Sequence, residues 1–114
     1  DSFLGNLAAE SIKEQGFELV QVTTAEEAKK SIEENKPDVI VLDLVLPGVS
    51  GYDFLAEIIK NDKTKAIPVI IASNLGGKDE IQKGLELGAA AYFVKSNTMP
   101  DEITEKIKEV VGDK

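Results

Sequence analysis

The chain contains no histidine, no cysteine and no tryptophan among its 114 residues, and each absence removes a class of chemistry. Without imidazole or thiol there is no histidine general base, no cysteine nucleophile, no disulfide framework and no zinc site of the usual donors. Hard-oxygen and amine chemistry remains. Positive charge is also short: 13 basic against 21 acidic side chains leave a formal net charge of −8. That excess repels phosphate backbones and anionic lipid, and no local basic patch offsets it, so neither direct nucleic-acid binding nor membrane binding is expected. No apolar run approaches the roughly 20 residues needed to cross a bilayer, and the first residues lack the pattern of a secretory signal. The expectation is a cytoplasmic protein. With 42% apolar residues, the length suits one domain over 1–114 around a single core.

What is present is an alternation of helical and strand-like apolar patterns, without repeats or long linkers. Phe3, Leu4, Leu7, Ala8 and Ile12 recur at helical spacing, predicting a helix over 3–15 that closes at Gly16. Leu19, Val20 and Val22 form a short strand. Thr24 to Glu27 then has the hydroxyl-x-x-acid form that opens a helix, running to about Asn35 before Pro37. Asp38–Leu42 (DVIVL) and Pro68–Ala72 (PVIIA) read as strands buried on both faces. Between them the loop Leu46-Pro47-Gly48 leads to Ser50, a plausible N-cap, and a helix turning Phe54, Leu55, Ile58 and Ile59 inward. A short helix over 79–87, a strand over 91–94 and an amphipathic helix over 99–111, with Ile103, Ile107 and Val110 on one face, complete the chain. The pattern predicts an α/β domain with a parallel sheet, doubly wound by right-handed crossovers.

In such sheets, reacting groups gather outside the carboxyl ends of the strands. Asp43, Ser73 and Lys95 are each the first functional polar side chain after an apolar strand. Singly, each has a bland explanation: aspartate and serine often close loops, and lysine is usually a solvated charge. Together they supply a carboxylate nucleophile, a hydroxyl donor and a balancing cation, a set suited to phosphoryl chemistry.

With those residues in place the chain resembles the receiver domain of bacterial two-component response regulators. KPDVIVLDLVLPGVSGYDFL resembles the family's phosphoacceptor segment, PVIIASN its fourth-strand segment and GAAAYFVK its fifth-strand segment. The likeness runs from Phe3 to Val111. It implies a flavodoxin-like sheet of order 2-1-3-4-5, here with the first strand absent. It further implies that Asp43 accepts a phosphoryl group from a histidine kinase or histidine phosphotransfer protein, with Lys95 pairing to the carboxylate. Ser73 and Tyr92 would act as the switch pair. Mg²⁺ would be held by Asp43, by the backbone carbonyl of Val45 and, with a one-residue shift, by Asp1. The family's fourth helix, fifth strand and fifth helix, which fall here on 79–87, 91–94 and 99–111, would present a face to a downstream protein.

The chain also departs from the family pattern. The strand ending in two metal-holding acids is not in this sequence, so the resemblance leaves three alternatives. Upstream residues are missing, a second copy supplies the strand in a homodimer or strand-swapped dimer, or the neighbouring strands pair differently. Ser96 stands where the family usually has proline after the lysine. Two readings compete: a phosphorylation-switched domain that is not an enzyme on a diffusible substrate, and a receiver-like interaction module that is not phosphorylated. A flavodoxin-type FMN binder fits the fold, but the Asp43, Ser73 and Lys95 set argues against it.

Overall fold

A computed structural model describes residues 19–22, 24–34, 37–46 and 48–112. The helix expected over 3–15 and the candidate ligand Asp1 lie outside them. In chain order the elements are β1 (Leu19–Val22), α1 (Ala25–Glu34), β2 (Val39–Leu42), β3 (Val45–Leu46), β4 (Val49–Ser50) and α2 (Gly51–Lys60). There follow β5 (Val69–Ser73), α3 (Lys78–Glu86), β6 (Ala91–Val94), a 3₁₀ turn (Lys95–Asn97) and α4 (Pro100–Gly112).

Among the described residues, four strands form one parallel sheet in the order β1-β2-β5-β6. That is the order 2-1-3-4-5 with its second member removed, and the gap is closed. β1 pairs directly with β2, Leu19 opposite Val39 through Val22 opposite Leu42, so the backbone groups of β2 find ladder partners on both sides. Among the described residues, the strands on either side of the absent one pair with each other.

The two central strands explain why the fold is doubly wound. Their side chains alternate between the two faces of the sheet, and both faces are apolar. Ile40, Leu42, Val69 and Ile71 face α1 and α2, packing with Ala28, Ile32, Phe54, Leu55 and Ile58. Val39, Val41, Ile70 and Ala72 face the other way, onto Ile103 and Ile107 of α4. Both of those isoleucines are fully buried, and burying such a side chain stabilises by about 1.5–3 kcal/mol. The 3.6-residue spacing of the helices and the two-residue spacing of the strands therefore meet at a common core.

The α2 helix ends at Asn61, whose N–H donates to the Glu57 carbonyl. The buried Thr64 hydroxyl then donates to the Ile58 carbonyl at 2.7 Å, satisfying a terminal acceptor of the helix. Ser50 does occupy the N-cap of α2, but its side chain makes no capping bond. The loop read at 46–48 is a small antiparallel hairpin, β3 with β4. Two-residue strands are too short to show a period, which is why the sequence pattern passed over it.

Candidate functional site

The parallel register fixes what lies at the carboxyl edge. Leu42 is opposite Ile71, and Ser73 is opposite Val94, so β2, β5 and β6 end side by side. Asp43 is the first residue beyond the fully buried run of β2, and Lys95 opens the 3₁₀ turn after β6. Their side chains meet: Lys95 Nζ donates to Asp43 Oδ2 at 2.6 Å. The pair is only 24% and 29% exposed, so its charges are less screened than those of a surface ion pair.

Ser73 behaves differently from the rim position its sequence suggests. It is the last residue of β5, fully buried, and its Oγ accepts the Leu75 N–H at 3.2 Å. On the same loop the Tyr92 hydroxyl donates to the Leu75 carbonyl. Leu75 is thus held twice, through its N–H by Ser73 and through its carbonyl by Tyr92. Burial pushes the Tyr92 hydroxyl up to about 12, with Tyr52, Glu80 and Asp43 adding to the shift and a hydrogen bond with Ser73 opposing it.

The segment after Asp43 is shaped by glycine. Gly48 adopts φ +74°, in the left-handed region that favours glycine. Gly51 opens α2 with its N–H on the Leu44 carbonyl at 3.0 Å, and a Cβ there would stand 2.4 Å from Leu44 Cα. Only glycine allows that approach. In an antiparallel ladder hydrogen-bonded pairs alternate, and the bond from Gly51 to Leu44 makes Val45 and Ser50 the non-bonded pair. The Val45 carbonyl is therefore directed out of the hairpin.

Asp43 and that carbonyl are hard oxygen donors of the kind Mg²⁺ takes. They fit the ion in kind but supply two of its roughly six positions. Among the described residues no group of three or more acidic side chains could hold a metal. Asp1, the remaining candidate, lies outside the described residues.

The sequence reading missed Tyr52. Its hydroxyl donates to the Glu80 carbonyl in the first turn of α3 at 3.0 Å, and Lys83 Nζ sits 4.5 Å above its ring. Burial, and then the Glu80 carboxylate, raise its hydroxyl above the usual tyrosine range. The available signal was an aromatic residue in the first turn of the helix that follows the Asp43 loop.

A buried-strand carboxylate paired with a lysine from two strands away, beside a doubly held loop, is the arrangement of a phosphoryl-accepting signalling domain. The chain belongs to the response regulator receiver domain family, whose model matches residues 1–108. The phosphate regulon transcriptional regulatory protein PhoB of Escherichia coli (strain K12) is 33% identical over 100 residues, which is 88% of this chain and 43% of that protein. The chain spans under half the length of such curated relatives. The signal receiver domain of a putative Luxo repressor protein from Vibrio parahaemolyticus superposes with a TM-score of 0.78 at 30% identity, covering 94% of this chain and 80% of that one. The Mn²⁺-bound form of response regulator Rcp1 gives 0.70 at 26% identity, covering 90% and 82%. The protein is a receiver domain of flavodoxin-like fold, of the response-regulator family. Among the described residues no helix is long and apolar enough to cross a membrane.

Proposed function

We propose that Asp43 is the residue that accepts the phosphoryl group, and that the domain works as a switch, not as an enzyme on a diffusible substrate. The observation that carries this is the 2.6 Å bond between Lys95 Nζ and Asp43 Oδ2. A carboxylate oxygen of Asp43 attacks the phosphorus of a phosphohistidine on a histidine kinase or phosphotransfer protein. The phosphorus–nitrogen bond breaks, its electron pair stays on the imidazole, and an acyl phosphate forms on Asp43. Lys95 orients the carboxylate beforehand and neutralises part of the phosphoryl charge afterwards. Mg²⁺, when held by Asp43 and the Val45 carbonyl, would supply further charge neutralisation at the phosphoryl oxygens.

The product adds close to two negative charges beside Lys95. Ser73 and Tyr92 respond: the Ser73 hydroxyl exchanges its Leu75 N–H donor for a phosphoryl acceptor, and the Leu75 loop and Tyr92 shift with it. A cytoplasmic setting and a downstream protein docking on α3, β6 and α4 complete the reading.

Incubation with Mg²⁺ and a small phosphodonor such as phosphoramidate, followed by intact-mass measurement, tests it. The expected adduct is about 80 Da, one phosphoryl group, absent from Asp43→Asn. An unmodified chain under conditions that phosphorylate another receiver would instead support an interaction module that is not phosphorylated.

A further inference from the structure

We propose that Tyr52 is a positioning residue, a second aromatic latch that carries the state of the Asp43 segment to α3. Three links are built in sequence. Gly51 locks the start of α2 onto Leu44, the residue after Asp43, through the 3.0 Å backbone bond and an approach too close for any Cβ. Tyr52, the next residue along, leaves α2 and donates its hydroxyl to the Glu80 carbonyl at 3.0 Å. Lys83, one turn further along α3, covers the same ring at 4.5 Å. The hydroxyl and the ring thus grip successive turns of one helix.

The gripped turn is the one that needs support. Its N-cap is Gly77, which has no side chain to satisfy the opening amides, and the Glu80 carboxylate reaches back to the Gly77 N–H at 3.0 Å. Glu80 therefore serves both as the reciprocal cap and, through its carbonyl, as the anchor for Tyr52. From the other side, the Tyr92 hydroxyl holds the Leu75 carbonyl. The stretch from Leu75 to Glu80 is bracketed by two tyrosine hydroxyls, one from β6 and one from α2. Asp43 moves Leu44, Leu44 moves Gly51, and Tyr52 takes α3 along. This holds whether or not Asp43 is phosphorylated, because it rests on the backbone lock and the hydroxyl bond.

The test is amide hydrogen exchange on the intact chain, read at Ile81–Gly84 and at the buried strand amides Val69–Ile71. Tyr52→Phe keeps the ring and its cation but removes the donor. Exchange at Ile81–Gly84 should rise about fivefold, the effect of one hydrogen bond, while Val69–Ile71 stay unchanged. Lys83→Gln should raise exchange at the same amides by a smaller factor. The readout that a merely stabilising tyrosine would not move is the cycle with Asp43→Asn. That substitution should alter exchange at Ile81–Gly84 in the parent chain and by less than half as much in the Tyr52→Phe background. Unchanged exchange in both single variants, or additive effects in the cycle, overturns the proposal. So does an equal rise at the strand amides in both, which would make the contact part of global stability.

Discussion

At position 92 a hydroxyl that ordinarily titrates at 10.0 is held protonated to about 12, chiefly by burial. The consequence for stability has a definite sign. The folded state keeps its proton more tightly than the unfolded state, so this contribution is fully present below pH 10 and is lost as pH rises toward 12. Tyr52 is shifted in the same direction and adds to the effect. Urea unfolding measured between pH 9 and 12 should therefore show a midpoint that falls across the upper part of that range. Tyr92→Phe should flatten the slope, whatever constant offset the lost bond to Leu75 introduces. An identical slope in the variant would mean that residue 92 does not report on folding. The family resemblance marked Tyr92 as half of a switch pair, but nothing in a sequence states which carbonyl its hydroxyl will find.

The elements show where sequence patterns suffice and where they stop. β6 falls on 91–94 as its apolar run indicates, and β2, β5, α3 and α4 lie within a residue of their expected ranges. Those elements are long enough to display a period and are bounded by glycine, proline or charge. The β3–β4 hairpin is local but too short to show a period, whereas the burial of Ser73 and the partner of Tyr52 depend on how segments far apart in sequence come together. Gly84 is the instructive case. Inside α3 a glycine costs about 1 kcal/mol relative to alanine, so propensity alone recommends the replacement. The structure opposes it: a Cβ at Gly84 would stand 2.7 Å from Ile71 Cδ1 and 3.1 Å from Tyr92 Cδ2. Ile71 is fully buried, and the Tyr92 ring is tethered through its hydroxyl, so neither neighbour has room to give. Overpacking a site of that kind costs about 1–3 kcal/mol. Gly84→Ala should accordingly destabilise by about 1 kcal/mol net, read as a lower urea midpoint at unchanged slope. A midpoint at or above that of the parent would show that helix propensity outweighs the close packing of α3 on β5 and β6.

For the whole molecule, charge decides the response to salt. The chain carries a formal net charge of −8, and its extents are 34 × 32 × 27 Å. At 0.01 M ionic strength the screening length is about 30 Å, so almost every acid repels every other; at 0.15 M it is about 8 Å and only neighbours interact. The attractive pairs are too weak to reverse this. Lys29–Glu57 and Lys65–Asp62 are largely solvent-exposed and Lys106–Glu109 is exposed on its acidic side, and surface pairs are worth about 0.2–1 kcal/mol each. The closer pair, Lys95–Asp43, is partly sheltered and loses less on screening. Removing long-range self-repulsion therefore outweighs weakening a few local attractions. Stability to urea, a neutral denaturant, should rise on the order of 1 kcal/mol between 0.01 and 0.15 M sodium chloride. A fall over the same range would mean that the exposed local pairs, which screening weakens most, outweigh the long-range repulsion.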